Sequence, residues 1–182
     1  MLDRSGAHGR SARHLRPGPD DASTRHYWLM RRLLGSPGPR TAWPCTLSLL
    51  AYSADNAPAV HQLLALAGQY GGGHVEDYPQ WRNAFETDPE CDPHLCFVAT
   101  DSRGVVAVAQ CWTSAFIRHL IVHPDAHRQG IGLALLTHVF DAFAKRGEGH
   151  VDLKVMESNL PARALYERAG MTYVQRCELD PG

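Results

Sequence analysis

Val122-His123-Pro124-Asp125-Ala126-His127-Arg128-Gln129-Gly130-Ile131-Gly132-Leu133-Ala134-Leu135-Leu136 carries a strand-like run into a helix through a turn with two glycines. Phe116–Val122 leads into it as a strand. After it, Ile131, Leu135, Leu136, Val139, Phe140 and Phe143 recur at helical spacing, predicting a helix from about Gln129 to Arg146. Gly130 and Gly132 remove side chains where a ligand approaches the backbone. The first-turn N–H groups of a helix have no internal partners and sit at the positive end of its dipole, and Arg128 adds a full charge. The turn is therefore an anion site suited to a pyrophosphate. Tight packing of strand against helix is the other reading of the same glycines. A Rossmann site is disfavoured, because no third glycine follows at the required spacing and no parallel βαβ unit surrounds the turn. A Walker loop is excluded, because no Lys-Ser/Thr follows the glycines.

One further strand, Val151–Val155, separates this turn from Asn159-Leu160-Pro161-Ala162-Arg163-Ala164-Leu165-Tyr166-Glu167-Arg168-Ala169-Gly170-Met171. Pro161 in the first turn and Gly170 just past the end delimit a second helix. Ala162, Leu165 and Ala169 share its packed face, with Tyr166 beside them. Asn159, at the strand–helix boundary, is placed either to cap the helix or to meet a ligand with its amide. Tyr166 is either a core aromatic or a functional hydroxyl.

Working outward, Thr46–Leu50 reads as a short strand, and Asp55 as the cap of a helix bearing Val60, Leu63, Leu64 and Ala67 on one face. After Gly71-Gly72-Gly73, Tyr78, Trp81 and Phe85 mark a shorter helix. His94–Thr100 and Val105–Trp112, joined by Asp101-Ser102-Arg103-Gly104, form a hairpin, and Met171–Leu179 closes the chain as a strand. The order predicts a mixed α/β domain over residues 41–182 with an antiparallel first half.

Residues 1–40, rich in Gly, Pro, Ser and Arg around one apolar patch, Tyr27-Trp28-Leu29-Met30, are expected to be a flexible tail. Arg31-Arg32 resembles the start of a twin-arginine signal, but Gly35, Pro37, Gly38 and Pro39 interrupt the apolar region that should follow. The tail holds eight Arg against three Asp, whereas residues 41–182 hold ten basic and sixteen acidic residues. An acidic folded part argues against nucleic-acid binding and suits cationic substrates. No run of eighteen apolar residues occurs, so no membrane span is expected. Five cysteines, an odd number in a chain too large to need stapling, suggest a reduced, cytoplasmic setting. Cys91, His94 and Cys96 lack a second ligand pair at zinc-finger spacing, and no metal is expected.

The two motifs together resemble the GCN5-related N-acetyltransferase (GNAT) superfamily over about residues 46–179. Its pyrophosphate motif, Gln/Arg-x-x-Gly-x-Gly/Ala, is matched from His127 to Gly132, with His127 departing from the usual Gln/Arg. Its later motif, Asn-x-x-Ala-x-x-Leu-Tyr-x-x-x-Gly-Phe, is matched from Asn159 to Met171, with Met for Phe. The resemblance implies a mostly antiparallel sheet of six to seven strands with about four helices and two splayed central parallel strands. Only about nine strand-like residues follow Gly170, where the family usually ends with two strands, so the last strand is expected to be missing, very short or supplied by a partner chain. A homodimer is a family-level expectation.

The resemblance further implies acetyl transfer from acetyl-CoA to a primary amine of a small molecule or peptide by direct attack. The pantetheine arm would bond backbone near Leu120, Ile121 and Val122. Arg128, Gln129, Gly130, Ile131, Gly132 and Leu133 would hold the pyrophosphate, Asn159 would contact the cofactor, and Tyr166 would be the general acid. The alternative is a family member that binds CoA for sensing or assembly without turnover. For the base, Lys154 stands where a Glu is common in the ribosomal-protein branch. His119 is one candidate and a water chain ending on Glu76, Asp77 or Glu157 another, with no dedicated base as a third reading. Tyr70, Tyr78, Trp81 and Phe85, with Glu76, Asp77, Glu86 and Asp88, would form an aromatic and acidic acceptor wall. Otherwise Trp81 and Phe85 pack the core and the acids are solvated.

Overall fold

The computed structural model describes residues 26–35, 38, 41–69 and 75–179 of the 182-residue chain. Seven strands and four helices run in the order β1 (His26–Leu33), β2 (Ser48–Ala51), α1 (Ala57–Gln69), α2 (Tyr78–Thr87), β3 (Cys91–Asp101), β4 (Gly104–Trp112), β5 (Phe116–Val122), α3 (Ile131–Lys145), β6 (His150–Met156), α4 (Leu160–Arg168), β7 (Thr172–Glu178). They build one sheet of order β2-β3-β4-β5-β6-β1-β7. Every neighbouring pair is antiparallel except β5 and β6.

Alternating side chains divide between two layers, as the strand period requires. Val98 and Val108 face α1 and α2, packing with Val60, Leu64, Trp81 and Phe85. Ala99, Ala107 and Ala109 face α3 and α4, packing with Leu135, Val139, Phe143 and Tyr166. The small side chains on that face let α3 lie close to the sheet. The anticipated stripes on α1, α2 and α3 all face inward. At the start of α1, the Asn56 side chain accepts from the Ser53 N–H at 2.9 Å, and it is this pair rather than Asp55 that organises the helix entry.

The largest departure from the sequence reading lies at the N-terminus. Residues 26–33, expected within a tail, form a strand between β6 and β7, antiparallel to both. Met30 is fully buried, and Arg32, on the same face, is 8% exposed. Arg31 donates two hydrogen bonds of 2.7 Å to the Asp152 carboxylate. Trp28 meets Tyr173 of β7 edge-on at 4.9 Å, and the Lys154 ammonium lies 5.0 Å from the Tyr27 ring centre. At least two of the eight N-terminal arginines therefore serve the fold. The seventh strand is neither missing nor borrowed from another chain, since this chain's own N-terminal segment supplies it. Residues 1–25, the rest of the expected tail, lie outside the described residues, as does Tyr70.

Candidate active site

The site begins with a failure of strand pairing. β5 and β6 pair only at Phe116–Asp152 and Ile117–Leu153, and the Asp152 N–H donates to the Ala115 carbonyl at 3.0 Å. Past Ile117 the ladder ends. On its other side β5 slips register against β4: Gln110 faces His119 and Cys111 faces Ile117, leaving Arg118 as an extra residue. A bulge of this kind bends a strand and increases its twist, which separates β5 from β6. The His123 N–H donates to the Val106 carbonyl at 2.8 Å. Antiparallel alternation then turns the backbone groups of Ile121 and His119 toward β4, and those of Leu120 and Val122 into the gap. Of the three residues expected to offer backbone to a pantetheine arm, Leu120 turns both its groups into the gap, Val122 offers its N–H while its carbonyl meets His127, and Ile121 faces β4.

The gap leads to the start of α3. Gly130 has φ +79° and Arg128 φ +59°, both left-handed, and Gly130 provides no side-chain cap for the helix. The first helical hydrogen bond runs from the Ala134 N–H to the Gly130 carbonyl, so the N–H groups of Ile131, Gly132 and Leu133 precede the intrahelical ladder. Arg128 and Gln129 are exposed beside them, while the Ile131 side chain is 3% exposed and serves the core.

The two glycines differ. A Cβ on Gly130 would meet nothing within 4 Å, leaving open space above a backbone that other residues adopt only under strain. A Cβ on Gly132 would stand 3.0 Å from Leu165 Cδ2 of α4. The second glycine thus lets α3 and α4 approach each other. A side chain there disturbs helix packing, contrary to the expectation that it would protrude toward a pyrophosphate. His127, in the usual Gln/Arg position, places Nε2 2.8 Å from the Val122 carbonyl oxygen and ties the turn to the end of β5.

Asn159 caps α4, its Oδ1 accepting from the Ala162 N–H at 3.2 Å, while its amide N–H groups make no bond among the described residues. Both readings of Asn159 are therefore compatible, one for each end of the amide. The Arg163 guanidinium fixes the preceding turn, donating to the Glu157 carbonyl at 2.8 Å and to the Tyr173 hydroxyl at 2.9 Å. Tyr166 is 8% exposed in the cluster that holds Ile117 and Leu153, the last paired residues before the gap. Burial pushes its phenol up to about 12, so the hydroxyl stays protonated across the neutral range.

On the opposite face of the sheet a pocket of about 90 Å³ opens at the bulge, lined by Glu76, Trp81, Cys91, Gln110, Arg118 and His119 among others. Burial, aided by the neighbouring Arg118 charge, lowers the His119 pKa to about 4, so its imidazole is neutral at pH 7. The alternatives for a base separate here. Asp77 caps α2 by accepting from the Gln80 N–H, and Glu157 is held by two hydrogen bonds from Arg176, at 2.9 and 2.6 Å, that keep it ionised. Glu76 alone of the three lines the pocket. Trp81 and Phe85 are largely core residues, 8% and 3% exposed. Sequence reasoning passed over Gln110 and Arg118, which its patterns mark only as strand residues.

Among the described residues, no group of three or more His, Cys, Asp or Glu is arranged to hold a metal, and no helix is long and apolar enough to cross a membrane. Comparison with known proteins bears on the same elements. The sequence profile of the Acetyltransferase (GNAT) family matches residues 57–171, from the start of α1 to the start of β7. The chain belongs to that family.

Relatives of this GNAT chain include a mycothiol acetyltransferase of Clavibacter michiganensis, 34% identical over 134 residues that cover 69% of this chain and 42% of the relative. The ribosomal protein bS18-alanine N-acetyltransferase of Escherichia coli is 46% identical over 56 residues, 31% of this chain and 38% of that one. Among solved structures, a GCN5-related N-acetyltransferase from Sphaerobacter thermophilus superimposes with a TM-score of 0.71 and 27% identity, covering 87% of this chain and 53% of that one. The chain thus spans less than half the length of these curated relatives. The GNAT match ends before β7 and begins after β1, so the strand that closes the sheet from the N-terminus lies outside it.

Proposed function

We propose that this chain transfers the acetyl group of acetyl-CoA to the amine of a small acceptor seated in the pocket at the β5 bulge. The observation that carries the reading is the end of β5–β6 pairing at Ile117–Leu153, with the gap-facing backbone of Leu120 and the Val122 N–H on a path to the open N-terminus of α3. A pantetheine arm has amides that need such partners, and a pyrophosphate suits the N–H groups of residues 130–133 with Arg128 beside them. Asn159 has amide hydrogens free to reach the cofactor. Five free thiols accord with a reducing, cytoplasmic setting.

In the reaction, the acceptor nitrogen lone pair forms a C–N bond to the thioester carbon, the C–S bond breaks, the amine loses one proton and the CoA sulfur gains one. The gap-facing Leu120 or Val122 N–H is a donor for the developing oxyanion. Tyr166 protonates the departing sulfur. A phenol near 12 is a weak acid toward a thiolate whose conjugate acid is ordinarily near 8.5. The same desolvation raises the thiol, however, which narrows the mismatch. His119 at about 4 is a poor final sink for a proton but a good acceptor of an amine N–H, so the proton leaves past it toward Glu76 and water.

The test is Tyr166→Phe in the full chain. Thiol release should fall by about 10²-fold or more while the rise in unfolding temperature caused by acetyl-CoA is retained. Cofactor binding by the parent chain without thiol release on any amine would instead support the sensor or assembly alternative.

A further inference from the structure

Resting on the acetyl-transfer reading, we infer that the acceptor is a small amino acid, with amine and carboxylate one or two carbons apart, read jointly by Glu76, Gln110, Trp81 and Arg118. The expected acidic wall is largely committed elsewhere. Besides Asp77, Glu86 pairs with Arg82 at 2.7 Å, and the Asp88 Oδ1 accepts from the Glu90 N–H at 2.9 Å. Among the described residues Glu76 is the one carboxylate that lines the pocket, and Arg118 brings one cation to it. A site with one charge of each sign is complementary to a zwitterion and offers little to a polycation.

Arg118 forms no ion pair among the described residues; its guanidinium lies 5.2 Å from the Trp112 ring centre, a contact that holds the group without neutralising it. The bulge that opens the gap also places Arg118 there as its extra residue. A planar guanidinium in this setting matches a carboxylate.

Two buried polar atoms point to the same ligand. Gln110, 2% exposed, and Trp81, 8% exposed, both line the pocket. Among the described residues the Gln110 Oε1 accepts no hydrogen bond and the Trp81 Nε1 donates none. Buried groups of this kind are nearly always satisfied. One is an acceptor and the other a donor, so a ligand that satisfies both must itself present an N–H and an oxygen. An amino acid does so, its nitrogen facing Gln110 and Glu76, and its carboxylate facing Trp81 and Arg118. The nitrogen then lies beside His119, which stands directly across the ladder from Gln110.

The experiment measures thiol release from acetyl-CoA by the full chain with glycine, alanine and β-alanine, with their methyl esters, with ethylamine, spermidine and an aminoglycoside, and with trialanine. The amino acids should exceed their esters in kcat/KM by about 10- to 100-fold. In Arg118→Gln the acid-to-ester ratio should fall to about one, with the acetyl-CoA thermal shift unchanged. As a readout independent of turnover, alanine should perturb Trp81 fluorescence in the CoA complex, and the ester should not. Equal rates for acids and esters, or a preference for spermidine, the aminoglycoside or trialanine, would overturn the inference. Acetyl-CoA stabilisation without acceleration by any amino acid would overturn it alone. Absence of acetyl-CoA stabilisation would overturn the acetyl-transfer reading with it.

Discussion

The two faces of the sheet solve recognition differently. On the α3/α4 face the proposed cofactor path is mostly main chain: the gap-facing backbone of Leu120, the Val122 N–H, and helix N–H groups opened by left-handed Arg128 and Gly130. On the α1/α2 face the pocket is mostly side chain, drawn from the segment before α2, from α2 itself and from three adjacent strands. Main-chain recognition needs glycines and helix starts at set spacings, which remain visible along a chain. A side-chain pocket needs only that separate segments meet, and leaves no such spacing.

The contrast is broken most drastically by removing what both faces share. A chain beginning at Thr41 lacks β1, which strips β6 and β7 of their common partner and exposes the slot filled by Met30. The ladder, the Met30 burial and the Arg31–Asp152 pair together rival a domain's whole stability of about 5–15 kcal/mol. Circular dichroism should show that chain unfolded at 25 °C; a cooperative thermal transition near the parent's would show β1 to be dispensable.

A finer cut separates the two glycines of the main-chain site. Gly132→Val drives a branched side chain into Leu165 and should cost about 1–3 kcal/mol in urea unfolding. Gly130→Val meets open space but forces a left-handed β-branched residue, at about 1–2 kcal/mol, and should weaken CoA binding at least 10-fold in calorimetry. Equal losses of stability and affinity in both variants would merge the packing and ligand roles assigned here.

The pocket face has its own signature in pH. His119 is neutral when folded down to about pH 4, whereas the unfolded chain binds that proton below about 6.5. Its contribution is therefore unchanged above pH 6.5, and stability is lost progressively as pH falls from 6.5 to 4, by about 3 kcal/mol at most. His119→Gln should flatten that part of the stability–pH curve in urea titrations. An identical curve would place the imidazole in solvent.

Much of the local structure around the candidate site was legible beforehand, and for identifiable reasons. The register from Gly130 into α3, the cap at Asn159 and the apolar stripe of α3 are local patterns, set by helix period and by which residues tolerate a turn. The splay between β5 and β6 was known only through resemblance, because its cause is a one-residue mismatch between β4 and β5. What packs against Gly132 was hidden because Leu165, its neighbour in space, lies thirty-three positions away. Gln110 and Arg118 went unnoticed because strand patterning distinguishes inside from outside without showing what lies opposite.

β1 marks the boundary most clearly. His26–Leu33 has no glycine or proline and holds three aromatic rings with Leu29, Met30 and Leu33, yet its Gly/Pro/Arg-rich surroundings read as a tail. By itself the sequence determined the elements from β2 onward, the glycine-opened start of α3 and the family, since these depend on residues close together along the chain. Only the tertiary structure decided that an N-terminal segment completes the sheet, that one strand bulges, and that side chains from separate segments share a pocket. Those depend on free energies of contact between distant segments, which no local pattern encodes.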